Sequence, residues 1–585
     1  MQLRWLEGKA TFLLLAIAGI GLPLLDDSYM GVIVTRACIY WILIAGLNLV
    51  VGYAGQIAIG WVALLTLGAY TTAVTTAGTV MPELSPYLAL VASAAIGGVF
   101  GVVVGLPALR LRTFYFAMTT LGFATIVTQI ALAWKDVTGG GIGVAGPVFP
   151  WPFAPGWGFY YFCLGLAALC TWMTANIAAS RFGRSLVAIR DAEVAAEACG
   201  VAKPALLLTV FVFSGALAGV AGGLFASLQS YITPDAFTFD LSVLFFIAIL
   251  IGGRGSILGP LLGTILLTAL PEFAAPLVAW STFLYAALLL LIVLLIPGGI
   301  AEVLDYRNRR PLQQHRAIVP KPALLAGLLD RTASKGTLEL SGIALAFGGV
   351  RAIDGLDLDI RAGEVHGLIG PNGSGKTTTL NVISGYYRPS AGHARFNGVD
   401  LPFSAPHLRA GFRIARTFQT PRLIGGASVL ENVMIGGTID GHGTFAESLL
   451  TLPRHRRDEA ELKQRALQGL AIVGLEQLAA VRADRLQHGE LRFMEIARAL
   501  MLRPAFLMLD EPAAGLSGEE IKRLGALIKA ISREGVGVLL VEHHADLIFD
   551  ICDRVTVLNL GKILAAGTPA EIRSHREVVS AYLGA

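Results

Sequence analysis

Charge is what this sequence has least of. Asp, Glu, Lys and Arg make up 15% of its 585 residues, against about 25% in an ordinary soluble chain, so much of it must face something other than water. The charges nearly cancel at a formal +4. No concentrated basic stripe stands out, which argues against nucleic-acid binding. Cysteine is scarce too: Cys38, Cys163, Cys170, Cys199 and Cys552 are scattered and form no C-x-x-C pair. That pattern argues against a disulfide framework or a zinc site and leaves the thiols as small apolar residues in packed helices. Met1–Lys9 and the apolar run Thr11–Leu25 have the outline of a signal peptide but lack a small-residue cleavage site. A retained first helix is therefore expected.

The shortage of charge is uneven. From Thr11 to Gly299 apolar runs follow one another, whereas from about Thr337 the chain reads as a soluble protein. A spanning helix needs about 20 mostly apolar residues. The candidate spans are Thr11–Leu25, Gly31–Val51, Ile57–Gly78, Tyr87–Leu109, Thr113–Trp134, Trp157–Ser180, Ala205–Gln229, Phe239–Gly252, Ile257–Leu270 and Leu277–Ile296. The eighth and ninth are short enough to be re-entrant or broken helices. With the N-terminus inside, about ten spans place Arg110, Arg112, Arg181, Arg184, Arg190, Lys203, Arg254, Arg307, Arg309 and Arg310 together on the cytoplasmic side, as the positive-inside rule requires. The uncharged loop Thr138–Gly156 then falls outside and the C-terminal domain inside.

Within the spans, Ala92–Gly98 and Gly215–Gly223 are runs of small residues that let helix backbones approach closely. Asn48, Gln56 and Gln129 sit in or beside apolar spans, where interhelical hydrogen bonding is the plain reading and a functional role the sharper one. Arg181–Gly200 is a polar, alanine-rich, helix-forming stretch wedged between spans, with Glu193 and Glu197 on one face. Its length suits a docking surface, and Gly200 before Lys203-Pro204 suits a helix stop. The expected organisation is a permease-like membrane domain over residues 1–304 (docking loop 181–204), a connector over 305–335 and a nucleotide-binding domain over 336–585.

The strongest motif is Gly370-Pro371-Asn372-Gly373-Ser374-Gly375-Lys376-Thr377, a complete G-x-x-x-x-G-K-[ST] loop. It follows the strand-like Val365–Ile369 and opens the helix-like Thr378–Ile383. Glycines let backbone N–H groups close on phosphate, and the helix N-terminus adds favourable dipole charge. Lys376 is expected on the β- and γ-phosphates, Thr377 on Mg²⁺, and Thr378 with the phosphate-binding set. The apolar run Phe506–Leu509 ends in Asp510 and Glu511, a pair suited to the metal shell and to activating a water.

This soluble domain resembles the ATPase of ATP-binding-cassette (ABC) transporters along its whole length. The resemblance implies that Phe347 stacks on adenine and that Gln419, in Arg416–Thr420, links the metal site to the permease. It makes Gln487-His488-Gly489-Glu490 a signature contacting ATP bound by an opposite ATPase, Gly515–Ser517 the loop after the acidic pair, and His543 the switch histidine. The signature is expected to sit just ahead of a helix over Leu491–Leu502. It departs from the usual form: Gln487 replaces serine, His488 the first glycine and Glu490 glutamine. The phosphate-binding hydroxyl is thus absent, and the ATP site completed by this signature is expected to be slower or asymmetric. In all, the resemblance implies Glu511, His543 and Gln419 as catalytic residues and Thr377, Gln419 and Asp510 as metal ligands.

Both halves are similar to the branched-chain amino acid importer group of that family. In the membrane half the similarity rests on Gly46–Gly55, Leu109–Arg112, Tyr115–Ala117, Thr119–Ala124, Arg184–Gly200, Ile232–Phe239 and Gly252–Ser256. In the ATPase it rests on Phe347–Gly349, Arg416–Arg422, Glu495–Leu500 and Ala581–Gly584. Such importers usually keep permease and ATPase on separate chains; here they are fused. The resemblance implies ATP and Mg²⁺, a second related permease, a second ATPase, an extracytoplasmic solute-binding protein and the bacterial cytoplasmic membrane. It implies import of branched-chain or related hydrophobic amino acids. Where the group commonly has Ser-Leu-Gly-His, this chain has Ala58-Ile-Gly-Trp61, which leaves urea, short amides or aromatic acids as alternative cargo. A homodimeric exporter and a non-transporting regulatory ATP-binding protein are the remaining alternatives.

Overall fold

The structure is a computed structural model that describes residues 16–25, 28–78, 82–111, 113–273, 318–329, 336–403 and 405–579, with scattered positions between 280 and 301. Met1–Lys9, most of the span Leu277–Ile296, Arg112, Arg307–Arg310, most of the connector and Ala581–Gly584 lie outside the described residues. The chain divides into two compact units. One is Met1–Arg190, Lys203–Gln313 and Ser448–Thr451; the other is Asp191–Ala202, Gln314–Glu447 and Leu452–Ala585.

The first unit is helical: α1 (Ser28–Asn48), α2 (Val62–Thr76), α3 (Pro86–Ala108), α4 (Thr113–Ala133), α5 (Trp157–Ala179), the first half of α6 (Arg181–Ala198), α7 (Lys203–Gln229), α8 (Phe239–Gly252) and α9 (Leu258–Phe273). Six described helical stretches are long and apolar enough to cross a membrane: Tyr29–Tyr53, Pro86–Ala108, Thr113–Ala133, Trp157–Ala179, Lys203–Gln229 and Pro234–Gly252. Val62–Thr76 and Leu258–Leu270 are apolar but shorter. These eight fall on eight of the ten expected spans. The first and last lie partly or largely outside the described residues, so the count of about ten is not established. On α4, Phe114, Tyr115, Ile126 and Ile130 are all more than half exposed, a surface that suits lipid and not water.

The small-residue runs form the seam between helices. A Cβ on Gly97 would come within 2.2 Å of the Gly215 carbonyl oxygen, and one on Gly215 equally close to that of Gly97. α3 and α7 therefore touch backbone to backbone, which only glycine permits. The third expected span starts late, at Val62, because the chain first leaves the helix through a π turn at Leu49–Tyr53 and a non-helical stretch. In that stretch the Ile59 and Gly60 amides donate to Thr120 Oγ1. Trp61 is 1% exposed and its indole donates to Ser214 Oγ, 2.9 Å away, so it fastens α2 to α7. Asn48 Nδ2 donates to the Ser256 carbonyl at 2.7 Å, and the Arg190 guanidinium donates to the Gly52 carbonyl. At another place β1 (Val144–Ala145) pairs antiparallel with β2 (Tyr231–Ile232), bringing the loop Thr138–Gly156 beside the connection between α7 and α8.

In the second unit, strands β3 (Thr337–Phe347), β4 (Val350–Arg361), β6 (Ala391–Phe396) and β7 (Val399–Asp400) form a sheet ordered β4-β3-β6-β7. A six-stranded sheet runs β12 (Lys562–Gly567), β11 (Arg554–Asn559), β5 (Val365–Ile369), β10 (Gly537–Val541), β9 (Phe506–Asp510), β8 (Ile414–Arg416). Every pairing in it is parallel except that of β11 with β12. β5, β9 and β10 are buried at every position, as strands covered on both faces must be. Their residues alternate between two cores. Leu507, Leu509, Val538 and Leu540 join one with Phe493, Met494, Leu524 and Ile528; Met508, Leu539 and Val541 join the other with Leu338, Leu380 and Ile383. Helices α10 (Lys376–Ile383), α11 (Pro406–Gly411), α12 (Val429–Ile435), α13 (Pro453–Val473), α14 (His488–Leu500), α15 (Gly518–Arg533), α16 (Ala545–Ile551) and α17 (Pro569–Ser574) are among the helices of the unit. The expected α-helical membrane part followed by an α/β phosphate-loop domain is the observed order.

The docking stretch is bent. Ala192 has φ −149° and ψ 59° within α6, and the two units divide just before it, between Arg190 and Asp191.

Candidate functional site

Parallel strands buried on both faces leave their carboxyl ends as the place where polar groups can converge. β5 ends in the loop Gly370–Gly375, which opens α10. Gly375 is the residue before the helix and has φ +105°, a conformation that excludes most side chains. Lys376 lies over the loop, its Nζ donating to the carbonyls of Gly370 (2.7 Å) and Pro371 (2.9 Å). Burial pulls its ammonium below the usual lysine range, against the attraction of Glu511 and Asp510. Thr377, Asn372 and Gly373 are exposed and Thr378 half-buried. Ser374 Oγ is buried with no hydrogen-bond partner among the described residues.

β9 ends in Asp510, and Glu511 follows with φ +47°. A non-glycine residue in that region is strained, and such strain gathers at working sites. Glu511 is held on both sides: Gln419 Nε2 donates to its Oε2 at 2.9 Å, and His543 Nε2 lies 3.0 Å from its Oε1. These three come from the ends of β8, β9 and β10. Glu542, 1% exposed, stitches two of those ends together, accepting from the amides of Ala513 (2.6 Å) and His543 (2.9 Å).

Asp510 pairs with Arg416: Nη2 donates to Oδ2 at 3.0 Å, and both side chains are buried. Burial raises the Asp510 carboxyl against the pull of Arg416, and Glu511 raises it further. Its Oδ1 is buried and has no hydrogen-bond partner among the described residues. Arg416 also donates to Asn381 Oδ1 at 2.6 Å. The loop carrying Gln419 is fixed from α14: Arg492 donates to the Phe418 carbonyl (2.9 Å), and Glu495 accepts from the Arg422 amide (3.0 Å) and from Arg498 (2.9 Å).

Phe347 stands at the end of β3, about half exposed, with Tyr387 edge-on at 5.2 Å. The signature residues lie apart from this cluster in what they touch. α14 starts at His488, so His488, Gly489 and Glu490 form its first turn and do not precede a helix beginning at Leu491. The reason is capping: Glu490 Oε2 accepts from the Gln487 amide at 2.8 Å, satisfying an N–H that would otherwise lack a partner. The His488 ring lies against Gly515. Sequence reasoning missed Arg416 as the partner of Asp510, Glu542 as the stitch and Tyr387 beside Phe347. None of these belongs to a spacing pattern, and Arg416 with Asp510, Glu542 with Ala513 and Tyr387 with Phe347 each join residues far apart in sequence.

A phosphate loop, an acidic pair and a polarised glutamate on a parallel sheet, attached to an apolar helical unit, define an ATP-hydrolysing ABC transporter. Residues 29–296 match the branched-chain amino acid transport system / permease component family; 353–514 match the ABC transporter family; 562–585 match the branched-chain amino acid ATP-binding cassette transporter family. The high-affinity branched-chain amino acid transport ATP-binding protein BraF of Pseudomonas aeruginosa is 40% identical over 252 residues, 43% of this chain and 99% of that protein. LivG of Escherichia coli, of the same description, is 37% identical over the same length and shares. A crystal structure of a nucleotide-free ATP-binding cassette from an ABC transporter aligns at 30% identity over 43% of this chain and all of that one, with a TM-score of 0.38. The chain belongs to the branched-chain amino acid family of ABC transporters, with permease and ATP-binding components in one polypeptide. It is a membrane protein whose ATPase binds ATP and couples its hydrolysis to transport, in a family that works with partner subunits and a transported substrate.

Proposed function

We propose that the chain imports branched-chain or related hydrophobic amino acids across the bacterial cytoplasmic membrane, with its N-terminus and ATPase in the cytoplasm. Its partners are a second related permease, a second ATPase and an extracytoplasmic solute-binding protein. The observation that carries the reading is a branched-chain permease unit and a hydrolysis site centred on Glu511 in one polypeptide.

In this reading the base of ATP lies on Phe347. Its phosphates are cradled by Gly370, Pro371, Asn372, Gly373, Ser374, Gly375, Lys376, Thr377 and Thr378, with the N-terminus of α10 beneath them. Glu511 orients and deprotonates the attacking water; Gln419 and His543, each within 3.0 Å of it, fix its two oxygens. Mg²⁺ fits the donors present: the unpartnered Asp510 Oδ1, the exposed Thr377 and the amide of Gln419. One carboxylate with neutral oxygens and phosphate is the set this ion prefers. When bound, it neutralises charge on the phosphate oxygens. Gln487, His488, Gly489 and Glu490 face ATP held by the partner ATPase. Trp61, buried on Ser214, packs helices together, so its place in the sequence gives no reason to exchange hydrophobic amino acids for urea or amides.

The test is substrate-stimulated ATP hydrolysis by the purified transporter assembled with its partners. Leucine and valine should stimulate more than phenylalanine, urea or a short amide. Stimulation led by urea or an amide would overturn the assignment of cargo.

A further inference from the structure

We propose that Tyr386 is a positioning residue that ties the nucleotide end of the ATPase to the segment Asp191–Ala202, so that ATP occupancy is felt there; this rests on the coupling of ATP turnover to transport argued above. Tyr386 and Tyr387 come just after α10, the helix that begins in the phosphate loop, separated from it by Ser384 and Gly385. Both backbone amides donate to the Asn381 carbonyl, at 2.9 and 3.3 Å, so the pair moves with the last turn of that helix. That turn is also tied to the acidic pair, because Arg416 bonds both Asn381 Oδ1 and Asp510 Oδ2.

From this anchored pair the two side chains serve different neighbours. The Tyr387 ring meets Phe347 edge-on at 71°, on the side where the base is expected. The Tyr386 hydroxyl donates to the Val194 carbonyl at 2.5 Å. Val194 lies two residues past the bend at Ala192, in the part of α6 that belongs to the ATPase unit. The same segment rests Ala192 and Ala195 on Phe418, of the loop that carries Gln419. On the other side of the bend, Arg190 donates to the Gly52 carbonyl within the helical unit. The bend thus has a hydrogen bond on either side, and on the nucleotide side one of the contacts is the Tyr386 hydroxyl. Burial pushes that hydroxyl above the ordinary tyrosine range, with Glu197 adding to it, so it remains a donor throughout the physiological range. An apolar seat would be filled as well by phenylalanine; only the hydrogen bond requires tyrosine.

Tyr386→Phe keeps the ring and removes the bond. The readout that does not depend on cargo is amide exchange of residues 191–202 in the complete transporter, in the Glu511→Gln background that holds ATP. Adding ATP should slow exchange there, and Tyr386→Phe should remove most of that protection. Protection equal with and without the hydroxyl would overturn the proposal. The second readout, in the otherwise wild-type transporter in proteoliposomes, is leucine taken up per ATP hydrolysed. Tyr386→Phe should lower it about fivefold, the scale of one hydrogen bond, with KM for ATP unchanged. Tyr387→Ala should raise KM and leave the ratio alone. A ratio unaltered by Tyr386→Phe, or lowered only in step with a raised KM, would also overturn it. Failure of wild-type vesicles to take up leucine would count against the cargo assignment alone, because the exchange measurement stands without it.

Discussion

In the proposed mechanism Glu511 carries the chemistry, and Arg409 carries a cost. Glu511 is held in a strained backbone conformation with an amide on one oxygen and an imidazole on the other. Replacing it with glutamine keeps the shape and removes the proposed base. Hydrolysis by the purified transporter should fall about 10²–10⁴-fold while equilibrium binding of labelled ATP persists; loss of binding would assign the residue to the cradle instead. Arg409 is 2% exposed, and none of its three guanidinium nitrogens has a hydrogen-bond partner among the described residues. Burial lowers its pKa to about 10. A folded pKa below the unfolded one means the charged form is penalised at every pH below about 10. The ring of Phe403, 5.5 Å away, is a weak compensation. Arg409→Met should therefore raise stability by about 1 kcal/mol, read as a higher unfolding temperature of the ATPase unit; a fall of that size would mean the charge is partnered in solution.

At the scale of elements, two features set what can be changed. On α3 and α7 the seam is backbone on backbone at Gly97 and Gly215, and even alanine at Gly215 should destabilise the helical unit by about 1–3 kcal/mol. Gly122→Ala on α4, where a Cβ meets nothing within 4 Å, is the control and should leave the unfolding temperature in detergent unchanged. In the ATPase, Asp440 draws Arg413 and Arg465 together at 2.8 and 2.7 Å. Burial pushes its carboxyl up, but the two guanidiniums win and hold it below 3.8. Because the folded pKa is the lower one, the pairing stabilises fully above about pH 4 and is lost as pH falls through the depressed value. Asp440→Asn should cost about 2 kcal/mol at pH 7 and flatten the acid limb of the unfolding curve; an unchanged limb would assign acid sensitivity elsewhere.

The same scale explains what could be read in advance. The phosphate loop and Asp510-Glu511 are contiguous because a strand end and the turn after it must deliver several groups to one point. The small-residue runs were legible because close helix approach needs many glycines and alanines in one stretch. The bend at Ala192 was not: the sequence around it is uniformly helix-forming, and the change falls where the chain passes from one unit to the other. The start of α14 at His488 was missed because glutamine and glutamate reproduce a cap usually expected from serine. Arg416, Glu542 and Tyr386 were invisible because each meets its partner across the sheet or from another segment.

For the whole molecule, the central claim is that ATP turnover at Glu511 drives uptake through the helical unit of the same chain. The direct measurement is labelled leucine uptake by cells lacking the gene, complemented with wild type or with Glu511→Gln. Uptake lost on deletion, restored by wild type alone and competed by valine is the predicted result. Restoration by Glu511→Gln as complete as by wild type would contradict it.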